Sequence, residues 1–159
     1  QTVIYVLALL IGVVAGLRAL TAPAVVTIGA VLAWLYLEGT TFAFMASPIA
    51  LAIFVALAAA ELVSDKLPRT PSRLVPPQFA VRVLAGAFAG AVLAVVPTGE
   101  TLTAIILGLL AGGIGAVIGT FGGAKLRAGL ARAFGSDGPA ALTEDALAIV
   151  GGLLIVYLA

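Results

Sequence analysis

Long apolar runs alternate with short polar interruptions along the whole chain. A bilayer core about 30 Å thick takes about 20 apolar residues of helix. Six stretches come close to that length: 2–17, 22–37, 42–62, 77–96, 101–124 and 140–158. The pattern predicts an all-α, polytopic transmembrane bundle of about six spans, in a single integral membrane domain over 1–159. The first, second and sixth runs are short, and short spans can be half-helices or a re-entrant pair. A four-span protein with a re-entrant hairpin at 2–37 is the alternative. Arg18 ends the first run. Thr21 is the expected N-cap of the second, with Pro23 in its first turn. Trp34 and Tyr36 form the aromatic pair expected at a lipid–water boundary. Pro48 lies near the start of the third run, Pro76 and Pro77 open the fourth, and Pro97 stops it. The first run lacks a basic leader and a small-residue cleavage site, so it reads as a retained span rather than a signal peptide.

Composition fixes the solvent. The 159 residues are 63% hydrophobic and 9% charged, with a mean hydropathy of +1.27. Soluble domains are about half apolar and a quarter charged, and a domain of this size leaves too much surface wet to hide the difference. The solvent is therefore lipid. There is no Cys and no His, which removes disulfides, thiolate sites and the commonest general base and metal ligand. No catalytic residue, metal or cofactor is expected. The net charge of +1 gives no reason to expect a nucleic-acid partner.

The distribution of charge says more. The connections run 18–21, 38–41, 63–76, 97–100 and 125–139. All eight basic residues lie in or beside the first, third and fifth: Arg18; Lys66, Arg69, Arg73 and Arg82; Lys125, Arg127 and Arg132. The second and fourth carry only Glu38 and Glu100. Basic connections stay cytoplasmic, so both termini are predicted outside and the span count even.

Residues 60–77, AELVSDKLPRTPSRLVPP, are unusually rich in charge and proline for this chain. As the main cytoplasmic loop, 63–76 would set orientation and touch anionic headgroups, at about 1 kcal/mol per basic residue. Two features go further. Glu61 and Asp65 are four apart and share a helix face, which calls for cations at the same depth: Arg18, Lys66 and Arg82. The prolines fix φ and restrict their neighbours, so Pro68, Pro71 and Arg73, like Pro23, read as loop or hinge positions. A second acidic pair, Glu144 and Asp145, is expected in the first turn of the sixth span behind Thr143. Helix capping by itself would account for it. Yet that turn falls on the same membrane face. Arg18, Glu61, Asp65, Lys66, Arg82, Glu144 and Asp145 therefore form the candidate binding site, with Arg127 nearby. Ionisable groups at the edge of hydrocarbon are costly unless paired or wet.

Glycines recur four apart: Gly12 and Gly16; Gly86 and Gly90; Gly108 and Gly112; Gly115 and Gly119; Gly119 and Gly123. Such grooves let helix backbones approach closely, so these are expected packing positions. The density of glycine in the fifth span predicts a central, surrounded helix. The stretches IGVVAGLR (11–18) and IGAVIGTF (114–121) match in spacing, which hints at a parallel internal repeat of the kind found in transporters.

GLRALTAPAVV (16–26), ELVSDKLPRTPSR (61–73) and TEDALAI (143–149) resemble the signature stretches of a family of small bacterial inner-membrane proteins catalogued as a domain of unknown function, DUF4126. The likeness covers nearly the whole chain. It implies a compact polytopic helical protein of the inner membrane and supplies no reaction, substrate or site residue.

Three function classes follow. In a small transporter or lipid-handling protein, Arg18 would engage an anionic group and Glu61 or Glu144 would exchange a proton. Arg18 and Glu61 would then flank a wet cavity between the first, third and sixth spans. A structural or accessory subunit, in a homo-oligomer or a larger membrane complex, would suit the glycine- and alanine-rich faces. An enzyme would have to draw hydrolytic or metal-assisted chemistry from carboxylates beside Arg and Lys. No nucleophile–base pair or metal motif is visible, and acids beside cations are more simply neutralised. The expectation is a non-enzyme whose partners are membrane lipids and other membrane subunits.

Overall fold

The computed structural model describes residues 2–65 and 76–159. These form α1 (Thr2–Leu17), α2 (Thr21–Val31), a 3-10 helix (Thr41–Ala46), α3 (Pro48–Ser64), α4 (Pro76–Thr98), α5 (Leu102–Phe134) and α6 (Asp137–Leu158), with no strand among them. The all-α bundle is as the apolar runs predict. Three helices, α4, α5 and α6, are long and apolar enough to cross a membrane, while α1, α2 and α3 are shorter apolar helices. The protein is a membrane protein.

Two packing arrangements build the bundle. In the first, α1, α4 and α5 share a seam of glycines. A Cβ on Gly12 would strike the Gly112 carbonyl, and one on Gly16 would meet the backbone at Ala116, Gly119 and Thr120. Gly115 faces Leu9 and Gly119 faces Val13 in the same order, so α1 and α5 run parallel. Gly86 abuts Gly112, and Gly90 abuts Gly108, so α4 runs antiparallel to α5. The predicted grooves at Gly12 and Gly16, Gly86 and Gly90, Gly108 and Gly112, and Gly115 and Gly119 lie in this seam. The echo between 11–18 and 114–121 has a packing reason, since the two stretches present matching small faces to one another.

In the second arrangement, α2 is the enclosed element. It contacts α1, α3, α4, α6 and the 3-10 helix, and nine of its eleven residues are buried. This corrects the expectation that the fifth span is surrounded. One side of α5 carries the buried stripe Gly108, Gly112, Gly115, Gly119. The other exposes Leu110, Ile114, Ile118 and Phe121 to the outside, an apolar stripe at helical spacing. Small residues mark the side where another backbone sits, not the number of sides covered.

Several boundaries differ from the apolar runs. The second run continues to residue 37, but α2 stops at Val31. Trp34 N–H bonds to the Gly29 carbonyl (2.8 Å) and Ala33 N–H to that of Ala30 (3.2 Å), with Ala33 at φ 64°. That is a Schellman C-cap with alanine in the left-handed position, so no glycine marks the stop. The third run begins at 42, whereas α3 begins at Pro48, where Ser47 accepts from Ala50 N–H. The fifth run ends at 124, yet α5 continues to Phe134, with Gly135 at φ 77° as its cap. The stretch AKLRAGLARAF is rich in strong helix formers, and its charges lower hydropathy without breaking the helix. Pro23, read as a loop or hinge position, lies not in a loop but buried inside the first turn of α2.

The bundle has two chemically distinct ends. At one, Arg18, Asp65, Arg127 and Glu144 meet. At the other, Thr41 N–H donates to Glu100 (3.1 Å), the Tyr36 hydroxyl donates to Glu38, and Trp34 packs edge-on against Tyr157 at 5.2 Å. The fold thus places Glu38 and Glu100 away from the arginines.

Candidate functional site

The site forms where α1 breaks into α2. Arg18, the first residue beyond α1, has no exposed surface. Its Nε donates to Asp145 Oδ1 at 2.7 Å. Its Nη1 donates to the Leu17 carbonyl (2.9 Å) and to Glu144 Oε1. Its Nη2 lies 2.8 Å from Asp65 Oδ2 and 2.7 Å from Asp145 Oδ1, but off the N–H directions, so that contact is coulombic rather than a directed bond. One guanidinium therefore holds three carboxylates from two helices.

Arg127, on α5, shares two of them. Its Nη1 donates to Asp65 Oδ2 at 2.9 Å and reaches Glu144 Oε1 at 3.4 Å. Its Nε and Nη2 grip Asp137 at 2.9 and 2.7 Å, the bidentate geometry that guanidinium favours. Asp65 and Glu144 thus bridge two arginines. A buried charge left alone costs several kcal/mol, and only dense mutual pairing makes it tolerable.

Glu61 has a different task. The N-cap of α2 is Leu20, without a side-chain cap, so Thr21 does not cap it as expected. Instead Glu61 reaches over from α3. Its two oxygens accept the N–H groups of Ala19 and Leu20 at 2.9 and 2.8 Å. The first N–H groups of a helix have no partner of their own and carry the positive end of its dipole. A carboxylate there is the natural occupant. Arg82, on α4, acts on Glu61 electrostatically, as does Arg18. Arg82 Nε also donates to the Gly16 carbonyl at 3.1 Å, and its Nη1 to Gln78, so it caps the end of α1. Thr21, the next residue in the chain after Leu20, is 3% exposed and its hydroxyl has no hydrogen-bond partner among the described residues; the same holds for Thr27, which is fully buried.

Of the candidate residues, Arg18, Glu61, Asp65, Arg82, Glu144 and Asp145 are brought together. Lys66, Pro68, Pro71 and Arg73 lie outside the described residues. Glu144 and Asp145 are not first-turn acids: α6 begins at Asp137, and Thr143 donates to the Pro139 carbonyl. They sit in the third turn, facing Arg18. Sequence reasoning passed over Asp137 and gave Thr21 only a capping role. Asp137 shows as an acid behind the α5 stop at Gly135; a lone buried threonine leaves no signal. Arg18 itself is covered by protein. A cavity of about 180 Å³ lies among Val3, Ile4, Leu7, Pro97, Leu158 and Ala159, at the opposite end.

Residues 5–158 match the model of the family described as Domain of unknown function (DUF4126). The chain belongs to that family. No curated protein and no solved structure matches it.

Proposed function

We propose that this DUF4126 protein binds the anionic group of a small solute or lipid, a carboxylate or phosphate, at the α1–α2 break and moves it across the membrane. The observation that carries the reading is the Glu61 carboxylate on the N–H groups of Ala19 and Leu20. That position already holds an anion, with Arg18 and Arg82 acting on it. Helix N-termini at broken helices are recurrent anion sites in transporters. In this reading the arginine-bearing end faces the cytoplasm, both termini face outward, and the protein is a multi-pass component of the bacterial inner membrane that needs no cofactor and catalyses no reaction.

A static role is the second reading, and one observation favours it. Arg18 is saturated by acids, and the α1–α4–α5 seam is closed by backbone contact, as in a rigid accessory subunit. Flux separates the two. Purified protein in liposomes is expected to take up labelled phosphate or acetate, or to flip a fluorescent anionic lipid, faster than empty vesicles. The two arms distinguish free solute from headgroup. Arg82→Gln is expected to slow the active arm about tenfold, a loss of about 1.4 kcal/mol. Vesicles no faster than empty ones in both arms, with a partner that co-purifies stoichiometrically, would establish the accessory role instead.

A further inference from the structure

We propose that the outward face of α5 holds an anionic phospholipid: its headgroup phosphate seats between Lys125 and Arg132, and its acyl chains lie along Phe121, Ile118 and Ile114. The site is separate from the α1–α2 break and does not depend on transport. Register comes first. Ile114, Ile118, Phe121, Lys125, Ala128 and Arg132 follow one another at steps of four or three, which is one face of a helix. All six are exposed, and the three apolar ones are 50–54% so. The face changes from apolar to basic at one place, between Phe121 and Lys125.

Depth agrees with that change. Residues 102–121 of α5 rise about 30 Å at about 1.5 Å each, the thickness of the hydrocarbon core. Lys125 follows about 6 Å further on, and Arg132 about 10 Å beyond it. Long helical side chains lean back toward the helix N-terminus, which here is toward the bilayer. Arg132 therefore reaches back over Ala128 toward the headgroup layer, and the single methyl of Ala128 leaves the space between the two cations open. Phe79 of α4 packs on Phe121 at 5.7 Å, so the first turn of α4, with the positive end of its dipole, lies at the same level.

Charge complementarity names the occupant. Arg18, Arg82 and Arg127 are engaged by groups of the protein itself. Lys125 and Arg132 form no hydrogen bond or ion pair among the described residues, and α5 contains no acid to neutralise them. Asp137, the nearest acid along the chain, is gripped by Arg127. Arg132 in the last turn suits the negative end of the α5 dipole, which accounts for one cation but not for its alignment with Lys125 and the apolar stripe. An anionic phospholipid matches both halves of this face at once, chains against Ile114, Ile118 and Phe121 and phosphate against the cations, whereas a free phosphate would leave the apolar half unused.

The test is a titration of the full chain in detergent with phosphatidylglycerol or phosphatidylcholine, read by native mass spectrometry. The wild type is expected to retain phosphatidylglycerol at least about tenfold more tightly, as two cations at headgroup level supply. The double variant Lys125→Gln, Arg132→Gln is expected to bind the two lipids alike at an unchanged thermal midpoint, since neither side chain holds the fold together. Lys125→Arg with Arg132→Lys, which keeps both charges, is expected to keep the preference. Placement is read by fluorescence in a Trp34→Phe background. Phosphatidylglycerol with brominated acyl chains is expected to quench Ile118→Trp more than brominated phosphatidylcholine does, and both lipids to quench Val150→Trp, on the exposed side of α6, equally. A wild type without the preference, or a preference that survives the double glutamine variant, overturns the site. A dimer mass that retains no lipid would show a second copy on this face and overturns it as well.

Discussion

Ala33 is a single residue whose backbone carries a measurable burden. Its φ of 64° puts an L-side chain in the left-handed region, at a cost of about 1–2 kcal/mol relative to glycine's freedom there. It closes α2 through the hydrogen bonds at Gly29 and Ala30, so the motif is intact and only the residue type is unfavourable. Ala33→Gly is expected to raise stability by about 0.5–1 kcal/mol after glycine's greater unfolded entropy is counted, read as a higher thermal midpoint in detergent. An unchanged or lower midpoint would mean the strain is relieved by a contact of the methyl group. At this scale the charged residues were the most legible. Arg18, Glu61, Asp65, Arg82, Glu144 and Asp145 could be gathered from the chain because charge is rare in apolar helices and must be paired. Their separate tasks could not. Nothing in the order of residues distinguishes Glu61, which caps a helix on another segment, from Asp65, which bridges two arginines.

The helices divide by how closely they approach. Gly112 sits between α1 and α4: a Cβ there would strike the Gly86 carbonyl, and the Gly112 carbonyl lies against Gly12. Backbone cannot rotate away as a side chain can, so Gly112→Ala must push whole helices apart. It is expected to cost about 2–3 kcal/mol and to lower the midpoint of unfolding in detergent. Gly122 is on the same helix with nothing within 4 Å of its added Cβ, and alanine is the better helix former. Gly122→Ala is expected to leave stability unchanged or slightly raised. Equal losses at the two positions would show that the glycines serve helix flexibility rather than approach. The four-residue spacing announced these grooves. Which groove faces which partner was decided by the parallel pairing of α1 with α5 and the antiparallel pairing of α4 with α5, a matter of topology.

For the whole molecule, the separation of charge between the two ends sets orientation in the bilayer. The chain has no cysteine, so single ones can be introduced as reporters. In whole cells an impermeant maleimide is expected to label Glu38→Cys and to spare Arg132→Cys until the membrane is opened. The reverse pattern would invert the protein and move the proposed anion site to the outer face. The sequence by itself determined the solvent, the helical class and this partition of charge. Each follows from additive costs of transferring residues into lipid, and those costs do not depend on which helices are neighbours. Only the tertiary structure decided that the shortest α-helix, α2, is the enclosed one, that α5 keeps an open apolar side, and that α3 lends a carboxylate to the start of α2. Those outcomes depend on contacts between segments as far apart as Leu20 and Glu61, where the gain belongs to the pair of surfaces and is written in neither one alone.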